Sequence, residues 1–268
     1  MGTDLKSRVR DAEDIKITAY HEAGHTIVAY FTKDADPIHK VTIVAKGQSG
    51  GHTAFIKEKD QWHQKKTQLL AHMDVAMGGR IAEEMILGKE RVTGGASSDM
   101  NNATSISTAM VQQLGMSDKV GLRVFSAEDL ANGQCSDNTK GEYLHPIQIF
   151  LTRLPPILPL GWVPITVIDF YSLQFYLGTI DEEVNLLLNE SYKRASTLLK
   201  NHQKEWKALS EALITYETLD GDEVKAIIEG KSLPKKQKPI NGESITRDVS
   251  LNKSSLPGAP LGGEPLVV

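Results

Sequence analysis

Cysteine is almost absent from this chain, since Cys135 is the only one in 268 residues. A single cysteine cannot form an internal disulfide, so nothing in the sequence indicates an oxidising compartment. An excess of charge of one sign is also lacking: the net charge is −4, which gives no electrostatic case for binding nucleic acid. We therefore expect no nucleic-acid partner, and no metal site built from several thiolates.

Long apolar runs are missing as well. No stretch of about 20 apolar residues exists to cross a bilayer, and the start of the chain, MGTDLKSRVRDAEDIK, is too charged for a signal peptide. No G-x-x-x-x-G-K-[ST] sequence occurs, so the chain has no P-loop for ATP. We expect a chain without a transmembrane segment that behaves as a soluble protein and needs no ATP for its own chemistry.

One stretch combines a helical apolar pattern with polar residues: TAYHEAGHTIVAYF, at 18–31. His21 and His25 stand four residues apart and project from one helical face, where two imidazoles can hold one metal ion such as zinc. Glu22 would lie beside that ion, where it can take a proton from a bound water. The H-E-x-x-H string predicts zinc-dependent peptide hydrolysis, and the competing interpretation is two core histidines and a solvated glutamate.

Gly24 stands inside the same predicted helix, where glycine costs about 1 kcal/mol relative to alanine. One interpretation is that the missing side chain lets a neighbouring segment come close to this helix. The other is a glycine that the helix merely tolerates. The sequence leaves both open.

The rest of the chain predicts a mainly α fold with a small β-sheet, which is an α+β architecture. VTIV and TAFI, between residues 41 and 56, have the β-branched content of two short strands and are separated by glycines. Apolar residues at helical spacing predict the helices. These run over 64–87, from an N-cap at Ser97 or Ser98 to Gly115, over 180–201, around Trp206, and from Asp220 to Gly230.

A zinc ion held by two histidines needs at least one further protein ligand. Asp99 is a candidate, although an aspartate in the first turn of a helix is also favoured by the helix dipole alone. Spacing leaves the choice open. The other candidates are the remaining carboxylates and His39, His52, His63, His72, His145 and His202.

Five stretches stand out in order along the chain: TAYHEAGHTIVAYF, DPIHKVTIV, QLLAHMDVAMGGRIAEEMILG, TGGASSDMNNAT and ALITYETLDGDEVKAIIEG. Together they resemble the peptidase domain of FtsH-type proteases, the membrane-anchored AAA zinc metalloproteases. Their sequence is most similar to the i-AAA branch of the mitochondrial inner membrane.

This resemblance implies a zinc endopeptidase that degrades unfolded or membrane-associated proteins and is normally coupled to an AAA ATPase module. It implies Zn²⁺ as the cofactor, His21, His25 and Asp99 as its ligands, and Glu22 as the general base. It also implies polypeptide substrates, a homo-hexameric ring and a place at the mitochondrial inner membrane. The alternative is a non-catalytic, protease-like scaffold or ring-forming domain.

The resemblance also divides the chain, with a zinc-binding part of the peptidase domain at 1–135 and its C-terminal helices at 179–233. Residues 142–178 carry five of the 11 prolines and only three charges, and we expect this apolar insertion to lie outside the working fold. Residues 234–268 are predicted to form a disordered tail. Since no ATPase motif accompanies these parts, we expect a fragment or an isolated domain.

Substrate is expected to lie extended along an exposed strand between residues 41 and 56, paired through its backbone. Such pairing depends little on side-chain identity. It therefore suits an enzyme that degrades many different polypeptides.

Overall fold

A computed structural model describes residues 11–45, 50–56, 63–122, 124 and 165–231, with only the backbone of residues 165–177. The described part is mainly helical with one small sheet, which confirms the predicted fold class. Its elements are α1 (Ala12–Phe31), β1 (Ile38–Thr42), β2 (His52–Phe55), α2 (Lys66–Leu87), a 3₁₀ turn (Gly94–Ala96), α3 (Ser97–Gln112), α4 (Ile165–Asn201), α5 (Gln203–Tyr216), β3 (Thr218–Asp220) and α6 (Gly221–Ile228).

Helix α1 lies in the middle of the core and crosses α2 at very short range. A Cβ added at Gly24 would come within 2.5 Å of the Gly78 carbonyl oxygen on α2, and one added at Gly78 within 2.8 Å of the Gly24 oxygen. Because such distances exclude any side chain, both glycines are required by the crossing. The interpretation of Gly24 as a point of close approach is confirmed.

The sheet has the strand order β2-β1-β3, and both pairings are antiparallel. The two predicted strands are present, although β1 begins at Ile38 and ends at Thr42, earlier than the VTIV pattern suggested. Val41 of the central strand faces Thr53 on one side and Leu219 on the other. Strand β3 was missed, because three residues carry no periodic pattern and pair with a strand far away in sequence.

Helix α2 ends before Gly88, its C-cap residue, whose φ of 81° lies in the region that favours glycine. The predicted N-cap of α3 at Ser97 or Ser98 is wrong, because Ala96 holds that position. The chain is already turning in the 3₁₀ segment before it, where the Thr93 hydroxyl accepts from the Gly95 amide. A helical turn already leads into α3, so no serine cap is needed there.

Helix α4 starts at Ile165, whereas the sequence predicted a start at 180. It therefore enters the apolar segment 142–178, whose prolines end at Pro164. Proline breaks helices because it lacks an amide donor and clashes with the preceding turn, so a proline-free stretch can be helical. Residues 142–164, the tail 234–268 and Cys135 lie outside the described residues.

Across the described residues, no helix combines the length and the apolar character that a bilayer crossing requires.

Candidate metal centre

Helices α1 and α3 bring three of the sequence-predicted residues together. His21 and His25 lie one turn apart on α1, and their Nε2 atoms are 3.0 Å from each other. Asp99, in the first turn of α3, places its Oδ2 atom 3.4 Å from both nitrogens. In the part of the chain that the structure describes, these three side chains form a group with the spacing of metal ligands.

Both imidazoles are oriented by a hydrogen bond at their other nitrogen. Nδ1 of His25 lies 2.7 Å from the carbonyl oxygen of Val75, and Nδ1 of His21 lies 2.9 Å from Oε1 of Glu83. Since carbonyl and carboxylate oxygens only accept, each Nδ1 carries the proton in the neutral ring. The two Nε2 lone pairs and a carboxylate oxygen then converge on one point, an arrangement that repels itself unless a cation lies between them.

The separations of these atoms fit a small, tetrahedrally coordinated metal ion. Zinc binds histidine nitrogens at about 2.0–2.1 Å, which puts two ligands of a tetrahedral site about 3.3 Å apart. The observed separations of 3.0 and 3.4 Å agree with that value. Two imidazoles and one carboxylate are also a donor set that suits zinc, with a coordination position left for water.

The same convergence governs protonation of the metal-free cluster. Burial opposes a charge on His21, but hydrogen bonds to Asp99 and Glu83 and the nearby Glu22 carboxylate outweigh it and raise its pKa to about 10. Burial likewise opposes the charge on Asp99, but its contacts with His21 and His25 hold the pKa of that carboxyl below its ordinary value. A proton can thus take the place of a metal cation in this cluster.

Glu83 of α2 is a site residue that the sequence reasoning missed. Its side chain is almost fully buried, and its Oε2 atom accepts from the amide and the hydroxyl of Thr93 at 2.9 and 2.8 Å. Because Oε1 faces His21, Glu83 connects the first candidate ligand to the loop that leads to Asp99. Glu83 lies four residues after Gly79, which puts both on one face of α2, but only the crossing of α1 and α2 shows that this face meets the candidate ligands.

Gly79 provides the space that the two imidazoles occupy. A Cβ at this position would lie 2.5 Å from Nε2 of His21 and from Nε2 of His25. Since real side chains do not approach so closely, even alanine would displace the rings. The Gly78–Gly79 pair in α2 thus serves both the helix crossing and the metal centre.

Glu22 lies beside the cluster and is 6% exposed. Its Oε2 atom accepts a hydrogen bond of 2.7 Å from the hydroxyl of Thr53 on β2. Glu22, the three candidate ligands, and Thr53 and Phe55 of β2 all line one cavity of about 800 Å³. Its volume lies in the range of pockets that hold sizeable ligands.

Two other histidines that were candidates for the third ligand have contacts of their own. His72 lines the cavity but pairs with Asp36, at 3.3 Å from Nε2 to Oδ2. His202 stacks on Phe31 with ring centroids 3.5 Å apart. Of the histidines that the structure describes, only His21 and His25 belong to the cluster. His145 lies outside the described residues.

Two comparisons with known proteins agree, one with a family profile and one with individual sequences. The profile of peptidase family M41 matches residues 8–144 and 171–227, which is most of the chain. The match leaves out 145–170, the larger part of the apolar segment.

Among the relatives is an ATP-dependent zinc metalloprotease YME1L of Drosophila melanogaster, 45% identical over 228 residues, which are 85% of this chain and 26% of the relative. The human ATP-dependent zinc metalloprotease YME1L1 is 41% identical over 233 residues, 87% of this chain and 25% of the relative. The ATP-dependent zinc metalloprotease FTSH 11, chloroplastic/mitochondrial, of Arabidopsis thaliana is 37% identical over 237 residues, 88% of this chain and 24% of the relative. The chain thus spans about a quarter of the length of these relatives.

Proposed function

The chain belongs to peptidase family M41, and on that premise we propose that it is a zinc-dependent endopeptidase domain. In this proposal His21, His25 and Asp99 hold the zinc ion and Glu22 is the general base. The observation that carries it is the convergence of two imidazole lone pairs and a carboxylate oxygen beside Glu22, inside one cavity. The relatives that are named as zinc metalloproteases support the choice of metal.

When bound, zinc supplies Lewis acidity to a water molecule and to the scissile carbonyl oxygen. Glu22 accepts the proton of the attacking water and afterwards delivers it to the nitrogen of the leaving amine. His25 and His21 keep their Nε2 atoms free for the metal because Val75 and Glu83 hold the proton on Nδ1. Asp99 adds negative charge to the donor set and balances part of the charge of the ion.

We place the polypeptide substrate along the outer edge of β2. Strand β1 lies in the centre of the sheet, so it cannot accept a further strand, whereas β2 has β1 on one side only within the described residues. Thr53 and Phe55 of β2 also line the cavity that contains the metal centre. Backbone pairing there would hold an extended chain next to Glu22 with little dependence on its side chains.

For the whole protein we propose ATP-dependent degradation of unfolded or membrane-associated proteins by a homo-hexamer at the mitochondrial inner membrane. The names of the relatives, which are ATP-dependent zinc metalloproteases, support the coupling to ATP. The name of the Arabidopsis relative, which includes chloroplastic/mitochondrial, supports a location in an organelle. Size measurement of the whole protein, together with fractionation of the organelle, tests the assembly and the location.

The test of the catalytic assignment is the substitution Glu22→Gln. An amide cannot accept the proton of water, so hydrolysis of casein should fall by at least about a hundredfold, the usual contribution of a general base. Zinc content should stay at that of the wild type, because Glu22 is not a ligand. Glu13→Gln, in the exposed first turn of the same helix, is the matched control and should leave both unchanged.

Two outcomes would contradict the proposal. Near-normal turnover by Glu22→Gln would remove Glu22 from the base role. A wild-type chain that binds zinc but shows no chelator-sensitive hydrolysis of casein, assayed without ATP, would favour the non-catalytic scaffold.

A further inference from the structure

Thr53 contacts the proposed general base, yet it takes no part in the mechanism above. It lies on β2, and its hydroxyl donates to Oε2 of Glu22 at 2.7 Å. Glu22 itself is buried on α1. The hydrogen bond therefore joins the strand that we place against the substrate to the helix that carries two metal ligands.

A second contact shows how closely β2 lies against this carboxylate. A Cβ added at Gly51 would be 2.8 Å from both Cγ and Oε1 of Glu22, and 2.9 Å from Cγ2 of Thr18. A side chain at Gly51 would have to displace the Glu22 side chain, so the backbone just before β2 lies directly beside Glu22. Residues Gly51 and Thr53 thus restrain one side of the carboxylate, by exclusion and by hydrogen bonding respectively.

The donor is itself held firmly in place. Thr53 pairs with Val41, which is fully buried in the central strand. A β-branched side chain has few χ1 rotamers, so the hydroxyl of Thr53 is positioned by the sheet. By contrast, the terminal torsion of a glutamate is broad and roughly two-fold. An unrestrained Glu22 carboxylate would rotate within the cavity.

We propose that Thr53 is a positioning residue that fixes the orientation of the Glu22 carboxylate for proton transfer. A hydrogen bond to an ionised acceptor is shorter and stronger than one between neutral groups, so a single hydroxyl suffices to select one orientation. The inference rests on the proposed role of Glu22 as general base. It adds that the substrate-binding edge and the base are mechanically connected through one side chain.

The deciding variant is Thr53→Val, which keeps the shape and the strand preference but removes the donor. We expect kcat for an unfolded substrate to fall between about tenfold and a hundredfold, because a reacting group misplaced by about 1 Å loses about that much. KM and zinc content should stay at wild-type values. Thr53→Ser, which restores the donor, should recover most of the rate. Thr42→Val removes a hydroxyl from the neighbouring strand without touching Glu22 and is the matched control.

A second measurement requires neither zinc nor substrate. In the chelated protein, Thr53→Val should lower the urea midpoint of unfolding in the wild-type background but not in a Glu22→Ala background, since the two residues act as a pair. Equal shifts of the urea midpoint in both backgrounds would show that Thr53 and Glu22 do not interact. In the assay, Thr53→Val with wild-type kcat, or Thr53→Ser as impaired as Thr53→Val, would overturn the positioning role.

Comparing hydrolysis by the wild type and by Thr53→Val separates a failure of this inference from a failure of the proposed function. If the wild-type chain shows no chelator-sensitive hydrolysis, the proposed function fails, and the positioning role that rests on it falls with it. If the wild type hydrolyses casein while Thr53→Val remains equally active, only the inference about Thr53 fails.

Discussion

Helix α2 carries two buried carboxylates, Glu83 at the metal centre and Asp74 at the contact with α4. Asp74 accepts from the Ser191 hydroxyl at 2.6 Å and from two nitrogens of Arg194 at 2.8 and 2.9 Å. Glu83 accepts from Nδ1 of His21 and from the amide and hydroxyl of Thr93. Both carboxylates are therefore fully hydrogen-bonded, as burial requires.

The two regions differ in how their charge is balanced. The α2–α4 contact contains its own permanent cation, because the Arg194 guanidinium is always charged. The metal centre has the carboxylates Glu22, Glu83 and Asp99 around two histidines, which are cationic only when protonated. At the helix contact the charge of Asp74 is thus balanced by Arg194 within the folded chain. At the metal centre the charge of the carboxylates is balanced only when a proton or a metal ion is bound. The contact should respond to substitution through stability, and the centre through metal affinity.

The largest effect is expected from Asp99→Ala at the metal centre. Removing one of the three proposed ligands should reduce zinc affinity by more than a hundredfold, since even loss of an outer partner costs about 10- to 100-fold. Hydrolysis should be lost with the metal. A competition assay with a zinc chelator, alongside the casein assay, measures both.

Asp222→Ala is the matched control for Asp99→Ala, because Asp222 is also a first-turn aspartate, in α6. Such a residue contributes about 0.3–1 kcal/mol through the helix dipole and should leave zinc binding unchanged. If Asp99→Ala behaves like Asp222→Ala, keeping stoichiometric zinc and full turnover, Asp99 is only a favourable residue at a helix start.

At the α2–α4 contact, Asp74→Ala should lower the free energy of unfolding by about 2–3 kcal/mol. It leaves the buried Ser191 hydroxyl unpaired and removes hydrogen bonds to a charged group, although Arg194 is partly exposed and can regain water. The zinc affinity of the folded protein should not change. Urea unfolding and chelator competition together test this pair of outcomes.

Glu190→Ala is the control for the helix contact. Glu190 is 52% exposed and lies 3.9 Å from Arg194, so its removal should cost at most about 0.5 kcal/mol. A loss of zinc affinity in Asp74→Ala, at full folding, would show that the two regions of α2 are coupled and would end the distinction drawn between them.

Glu83→Gln should weaken zinc binding by about 10- to 100-fold, the usual range for a residue that orients a metal ligand. Its two oxygens accept from His21 and from Thr93, and an amide can accept at only one of them. Glu84→Gln is the neighbouring control, since Glu84 accepts from Tyr192 and Arg80 instead. Unchanged zinc affinity in Glu83→Gln would assign Glu83 to packing alone.

The comparison also shows which parts of the molecule the sequence could predict. The spacing of His21, Glu22 and His25 on one helix is local, and the structure places them as that spacing predicts. Asp99 lies in another helix, so only the family resemblance singled it out. Glu83 was missed because its importance depends on where α2 crosses α1, which no local pattern contains.

Elements that depend on distant partners escaped prediction for the same reason. Strand β3 exists because Thr218–Asp220 pairs with β1, and three residues alone have no strand signature. The N-cap of α3 is Ala96 instead of the predicted Ser97 or Ser98, because a 3₁₀ turn leads directly into the helix. Helices α1, α2 and α5 were predicted at the right places, since each has an apolar pattern of its own, although α1 begins at Ala12, before the stretch 18–31.

The stability of the metal-free protein should also depend on pH. The pKa of His21 is raised from 6.5 to about 10 in the fold, so the protonated ring is favoured by folding. Its contribution to stability is therefore present in full below about pH 6.5 and is lost as the pH rises through 10. Zinc should bind more tightly over the same rise, because it displaces that proton.

Thermal unfolding of the chelated protein between pH 6 and pH 10.5 measures this contribution when the wild type is compared with His21→Gln. Lysines and tyrosines titrate in both proteins, so the difference between the two curves isolates His21. The melting temperature of the wild type should decline more steeply towards high pH than that of the variant. Parallel curves would mean that no proton holds the metal-free cluster together, and the contrast with the self-sufficient Asp74–Arg194 contact would then have to rest on metal binding alone.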